Sequence, residues 1–273
     1  MTQARVKELE ALAKEIRKLT ITEIGTLGVG HIGGAMSVVE LLTLLYFERM
    51  NIDPQNPLKP DRDWFVMSKG HAGPALYAVL AKRGYFPLDW LATLNKGGSR
   101  LPSHCDRTKT PGIDMTTGSL GQGFSAAMGI ALGHKMDGSK ATIYTLIGDG
   151  ESNEGQIWEA AMFAAYRGLS NVIAFTDCNK QQLDGLTSAI MDMEPFEDKW
   201  KAFGWFTQRV DGHDIAALDA AIEAARAETK RPSMIIMDTI KGKGCSFAEG
   251  VVPNHNMTFD MAKAAEAIAA LGD

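Results

Sequence analysis

The chain has 273 residues, is 45 % hydrophobic and carries a formal net charge of −5, which is enough length and apolar content for the full core of one large α/β unit. Acidic and basic residues are mixed along it with no Lys/Arg-rich arm, which argues against nucleic acid as a partner. No run reaches the roughly eighteen consecutive apolar residues of a spanning helix, which argues against a membrane. The first residues lack the apolar core of a signal peptide. The three cysteines, Cys105, Cys178 and Cys245, have no paired or zinc-like spacing and fit reduced thiols in a cytoplasm.

In chain order, helical spacing predicts an opening helix from about Thr2 to Leu19. A glycine-rich break from Gly25 to Gly34 precedes an apolar helix through Leu41, Leu42, Leu44, Leu45 and Phe47. After a proline-rich loop, Trp64 to Met67 reads as a strand, and Ser68-Lys69-Gly70-His71 ends it and opens a helix through Leu76 and Leu80. A polar loop from Asn95 to Gly118 leads into a helix from Gly121 to Lys135. Beyond the central unit described next, an irregular stretch from Asp184 to Glu197 precedes a helix near Trp200. A strand at Trp205 to Val210, a helix from Ile215 to Thr229, a strand at Ser233 to Thr239 and a helix after Met257 complete the chain. Alternating β and α elements indicate an α/β fold: a doubly wound, mostly parallel sheet with helices on both faces.

The central unit carries the chemistry. The apolar run Ala141 to Ile147 ends in Gly148-Asp149-Gly150, and about thirty residues on, the run Asn171 to Thr176 ends in Asp177-Cys178-Asn179. The segment between them, from Gly155 to Ala165, has helix composition. Both polar clusters then lie at the carboxyl ends of neighbouring parallel strands, where open α/β sheets bind ligands. One carboxylate and one amide carbonyl are hard oxygen ligands suited to Mg²⁺ or Ca²⁺, with phosphate and water completing the shell. The glycines beside Asp149 let a diphosphate approach backbone N–H groups near the next helix.

The string from Gly148 to Gln156, with the later Asn179, resembles the thiamine-diphosphate motif, and Glu154-Gly155-Gln156, Trp158-Glu159-Ala160 and Gln182-Leu183-Asp184-Gly185 resemble its transketolase branch. Gly30-His31-Ile32-Gly33-Gly34 and Ser68-Lys69-Gly70-His71 are similar to that family's two histidine loops. Thr116 to Gly123 is similar to its aminopyrimidine-contacting string, and Lys241 to Gly244 with His255 to the end of its cofactor domain. The resemblance implies thiamine diphosphate as cofactor and a divalent metal (Mg²⁺, with Ca²⁺ or Mn²⁺ as alternatives) on Asp149, Asn179 and the main-chain carbonyl of Gln181. It implies that His71, Gly150 and His255 lie at the diphosphate, that Gly118 and Leu120 touch the ring, and that Glu154 helps to hold the cofactor and a dimer contact. His31 and His104 would face the sugar as proton carriers or hydroxyl donors, with His255 sharing that work, since imidazole moves protons near neutral pH. His134 and His213 match nothing and are expected to be structural or surface residues.

Departures from the family pattern are Ile32 and Cys105, where prolines usually follow the histidines, and Leu94-Asn95, where a Phe-Arg pair is usual. All fall on the substrate side and leave the donor open between a pentose phosphate and an unusual sugar. The length matches the cofactor-binding half of a transketolase, so residues 1–273 are expected to form a single thiamine-diphosphate domain. The pyrimidine-binding domain, which supplies the cofactor-activating glutamate, would come from a separate C-terminal subunit in an α₂β₂ assembly. The implied activity is ketol transfer from a ketose, expected to be phosphorylated, to an aldose. Alternatives are a subunit of a 2-oxo acid dehydrogenase or deoxyxylulose-phosphate synthase, or a non-catalytic binding subunit that retains the fold.

Overall fold

The computed structural model describes residues 1–272. The chain opens with α1 (Gln3–Leu27), a two-residue strand β1 (Val29–Gly30), α2 (Ile32–Met36) and α3 (Val39–Leu44), which runs into a π-type turn, Leu45–Arg49. Strand β2 (Trp64–Met67) leads through the 3₁₀ turn Gly70–Ala72 into α4 (Gly73–Arg83), and α5 (Gln122–Met136) leads into β3 (Ile143–Gly148). Helix α6 (Gly155–Tyr166), β4 (Val172–Cys178), the small strands β5 (Gln181–Gln182) and β6 (Gly185–Leu186), and α7 (Thr187–Ile190) follow. The chain closes with α8 (Phe196–Ala202), β7 (Phe206–Asp211), α9 (Ile215–Ala227), β8 (Ser233–Asp238), β9 (Met257–Thr258) and α10 (Met261–Ala270).

The main sheet has the order β2-β3-β4-β8-β7, and every pair in it is parallel. Strands β3 and β4 are buried along their whole length, as expected of parallel strands covered on both faces. Alternate residues feed two separate cores. Phe65, Met67, Tyr144, Leu146, Ile173, Phe175, Ile235 and Met237 pack beneath α1, α3, α4 and α9. Val66, Ile143, Ile147, Val172, Ala174, Met234 and Ile236 pack beneath α5, α6 and α8, where Trp200 and Trp205 are almost fully buried.

Two expectations are corrected. The opening helix extends past Leu19 to Leu27 and absorbs the start of the glycine-rich break. Thr20, Thr22 and Thr26 fit within it because they donate their hydroxyls to carbonyls four residues back. Gly25 is needed inside the helix, since a Cβ there would sit 2.8 Å from that of Ala264 in α10. The helix stops instead at Gly28, whose φ of 93° is left-handed. The stretch from Asp184 to Glu197, expected to be irregular, contains the short strand β6, the single turn α7 and the start of α8.

Candidate active site

Parallel order places four loops side by side at one sheet edge. Ser68-Lys69 follows β2, Asp149 follows β3, Asp177 to Asn179 ends β4, and Thr239 to Lys241 follows β8, all at carboxyl ends of adjacent strands. Between them lies a cleft of about 230 Å³ lined by His71, His104, Gly118, Leu120, Asp149, Gly150, Asn179, Gln181 and His255. These are nine of the eleven residues read from the sequence as site residues. His31 stands just behind the wall, its ring centroid 5.3 Å from those of both His104 and His255. Glu154 is exposed and lies at the mouth beside Gly121, outside the cleft wall.

Two buried side chains organise the floor. The Asp177 carboxylate is fully buried and accepts hydrogen bonds from Ser37 Oγ at 2.7 Å, Lys69 Nζ at 2.5 Å, Asn179 Nδ2 at 2.7 Å and Thr239 Oγ1 at 2.5 Å. Burial alone would raise its pKa, but the Lys69 charge and the donated bonds hold it below the usual carboxylate range. Glu151 ties three loops together: Oε1 accepts from Ser68 Oγ at 2.5 Å and Gly121 N at 2.9 Å, and Oε2 accepts from Gly148 N at 3.0 Å.

The residues present fit a metal-bound diphosphate. Asp149 is 2 % exposed and its pKa is pushed up to about 7 by burial and by the charge of Asp177; among the described residues no cation forms an ion pair with it. Its oxygens accept only the amides of Gly150 at 2.8 Å and Lys180 at 2.6 Å. Asn179 gives its amide hydrogens to Asp177 and directs its oxygen toward the Gln181 amide at 3.1 Å. Among the described residues no three His, Cys, Asp or Glu side chains form a metal cage. A hard cation at this cleft would therefore rest on Asp149, Asn179 and a main-chain carbonyl, and would need anionic oxygens from a ligand. Lys241 fits such an anion: the residue is 2 % exposed and, among the described residues, its ammonium has only long contacts of 3.4 Å, to the Gln181 and Gln182 carbonyls and to His255 Nδ1. Burial and the neighbouring Lys69 charge pull its pKa down to about 8.

The imidazoles gathered beside these groups are all disfavoured as cations. Burial, then the proximity of His104 and the Lys241 charge, lowers His31 to about 4; burial, then Lys241, lowers His255 to about 3. His71 is lowered by burial and by Lys69, and His104 by burial. Neutral imidazoles of this kind can accept a proton or hydrogen-bond a hydroxyl. His213 and His134 are structural, as expected: His213 bridges Glu40 and the Ile240 amide, and His134 packs edge-on against Trp64. The sequence reading assigned no role to Lys69, Lys241, Glu151 or Asp177. A lysine set between a strand end and a glycine, as at Lys69 and Lys241, is the one local signal that would have singled any of them out.

The geometry is thus that of an α/β protein whose cleft fits a metal-bound diphosphate and is also lined by imidazoles. Residues 9–272 match the family described as "Transketolase, thiamine diphosphate binding domain", and the chain belongs to that family. It is 60 % identical to the 6-deoxy-6-sulfo-D-fructose transketolase subunit SqwG of Clostridium sp. (strain MSTE9), over 95 % of both chains. It is 43 % identical to an apulose-4-phosphate transketolase subunit of Actinobacillus succinogenes, over 89 % of this chain and 88 % of that one. Among solved structures, transketolase from Leishmania mexicana superposes with a TM-score of 0.91 at 32 % identity, covering 97 % of this chain and 41 % of the other. A transketolase variant from Pichia stipitis gives 0.92 at 30 % identity, with 97 % and 40 % covered. The chain therefore spans about two-fifths of the length of these solved transketolases. Among the described residues no helix is long and apolar enough to cross a membrane.

Proposed function

We propose that this chain is the cofactor-diphosphate-binding subunit of a two-chain transketolase, which transfers a two-carbon ketol unit from a ketose to an aldose. The observation that carries the proposal is one cleft that gathers two kinds of group: a carboxylate, an amide and two buried ammonium groups, and beside them the imidazoles of His71, His104 and His255. Residues 1–273 would act as a single cofactor domain, and a separate pyrimidine-binding C-terminal chain would complete the site in an α₂β₂ assembly. The subunit names of relatives matched over nearly their whole length support this division. Three buried, unpaired cysteines agree with a reducing, cytoplasmic setting.

Asp149, Asn179 and the Gln181 carbonyl would hold Mg²⁺, with Gly150 and His71 at the diphosphate and Gly118 and Leu120 at the ring. Glu154, at the mouth, would reach the cofactor from the contact between chains. Bound thiamine diphosphate supplies a nucleophilic carbon and an electron sink. His104 and His255, with His31 close behind, would hold the sugar hydroxyls and carry the proton that leaves when the carbon–carbon bond breaks. The donor we place first is a sulfonated ketose, after the substrate in the name of the 60 % identical relative. The departures at Ile32, Cys105 and Leu94-Asn95 also fall on the sugar side. The test is a ketol-transfer assay of the chain with its partner, run with 6-deoxy-6-sulfofructose, fructose 6-phosphate and xylulose 5-phosphate as donors. Transfer is expected only when both chains are present, and fastest from the sulfonated ketose. Turnover by the isolated chain, or none by the pair with any donor, would overturn the reading. Asp149→Ala should remove metal-dependent cofactor binding.

A further inference from the structure

A second cavity, of about 510 Å³, lies outside the cofactor cleft and is walled by Lys59, Arg62, Arg100, Arg107 and Lys109. The one carboxylate in its lining is Asp114, which is already engaged by Arg62 at 2.6 Å and by the Phe65 amide at 2.8 Å. With Arg62 and Asp114 offsetting each other, four further cations line the cavity, in a protein whose net charge is −5. The Arg107 guanidinium makes no hydrogen bond or ion pair among the described residues, and Lys109 lies 3.9 Å from Asp106, too far for a hydrogen bond. The base of the cavity is firm, because Arg62 is 8 % exposed and stacks 4.2 Å above the Trp64 ring. Prolines at 57, 60 and 111 supply apolar wall, so the space suits more than a bare ion.

The segment from Arg100 to Arg107 is shared between the two cavities. Its ends, Arg100 and Arg107, line the basic cavity, while His104 between them lines the cofactor cleft. The segment is tied to its surroundings through Thr110 Oγ1 to the Arg100 carbonyl and through Thr117 N to the Cys105 carbonyl at 3.0 Å. A ligand that bridges Arg100 and Arg107 would fix both ends of the strip that carries His104.

We propose that this cavity is an effector site for a small organic phosphate or sulfonate, and that its occupation steadies the His104 segment. Guanidinium and ammonium groups bind tetrahedral oxyanions through charge-assisted hydrogen bonds, and Arg107 and Arg100, whose guanidinium lies 5.4 Å from the Trp90 ring centroid, each carry a planar fork of donors. Steadying the segment before the sugar arrives lowers the ordering cost of donor binding. The effector need not be a substrate, since the cavity holds none of the cofactor-cleft residues.

Calorimetry on the full chain tests this, with the cofactor cleft first saturated with thiamine diphosphate and Mg²⁺. The probes are glycerol 3-phosphate, 2-hydroxyethanesulfonate and inorganic phosphate; the first two have no carbonyl and cannot serve as ketol donor or acceptor. Saturable binding of at least one organic probe is expected, tighter than that of inorganic phosphate. It should weaken by roughly tenfold or more in the R107A/K109A double variant, whose thermal midpoint should match the parent because both side chains are exposed. In the assembled two-chain enzyme the bound probe should lower the donor KM and leave kcat unchanged. Absence of saturable binding, or binding that survives R107A/K109A, would overturn the site. Equal affinity for inorganic phosphate would overturn the organic ligand, and an unchanged or raised KM would overturn the link to His104. The binding arms do not depend on turnover, so they stand apart from any failure of the transketolase reading.

Discussion

The Tyr77 hydroxyl donates to the Pro102 carbonyl at 2.8 Å, two residues ahead of His104. Tyr77 is fully buried on α4, so the helix tethers at one point the loop that presents this imidazole. On the other side of His104, the Cys105 carbonyl is held by the Thr117 amide at 3.0 Å. Tyr77→Phe keeps the ring and removes one hydrogen bond, worth about 1 kcal/mol. Donor KM should rise roughly fivefold, while affinity for thiamine diphosphate should not change. Steady-state kinetics with the partner chain, alongside a cofactor titration, would check this; a parallel loss of cofactor affinity would refute it.

Glu151→Gln tests the brace between the cofactor loops. The carboxylate accepts three hydrogen bonds from Ser68, Gly121 and Gly148. An amide has one accepting oxygen, and its NH₂ would face a donor at one of these positions, leaving a buried group unpaired at a cost of about 1–3 kcal/mol. Cofactor affinity, followed by tryptophan fluorescence, is expected to fall by roughly tenfold or more. Parent-like affinity would show that the loops hold their places without it.

Lys241→Met removes the buried ammonium and keeps much of the side-chain volume. Binding of thiamine diphosphate should weaken far more than binding of unphosphorylated thiamine, because the missing charge faces the anion alone. Competition titrations with the two ligands would measure the gap; equal losses would place the effect in general packing.

Glu40 gives a pH prediction away from the cleft. Burial would raise its pKa, but hydrogen bonds from His213 and Arg17 and the charge of Arg17 bring it down to about 2. A carboxylate depressed in the folded state stabilises the protein above its unfolded value, about 4.3, and loses that contribution as pH falls toward 2. The contribution at neutral pH is on the order of 3 kcal/mol. Urea midpoints between pH 5 and 3 should fall less steeply in Glu40→Gln than in the parent; identical slopes would exclude Glu40 as a source of acid sensitivity.

Much of this architecture was legible in the residues, and the reasons differ by element. Strand β2, Trp64–Met67, stands out as four apolar residues between a proline-rich loop and a glycine. The motif loops converge because they follow consecutive parallel strands, so locating the strands also locates Asp149 beside Asp177. The far end of α1 was hidden because threonine and glycine have low helix propensity, while the compensating contact, Gly25 against Ala264, comes from the opposite end of the chain. Lys69 and Glu151 were missed for a related reason. Each acts through partners that only the fold brings near, such as Asp177, which lies 108 residues from Lys69.

The Lys69–Asp177 ion pair also bears on the order in which the cleft fills. Of two carboxylates at the tips of adjacent strands, Asp177 is already matched by a cation from within the chain, and only Asp149 is left for a metal. A lone divalent ion would meet a single negative charge, and a lone diphosphate would meet one uncompensated ammonium, that of Lys241, and no metal. Neither balances by itself. On the proposed reading, metal and diphosphate load as a mutually neutralising pair, and each raises the affinity of the other by the same factor.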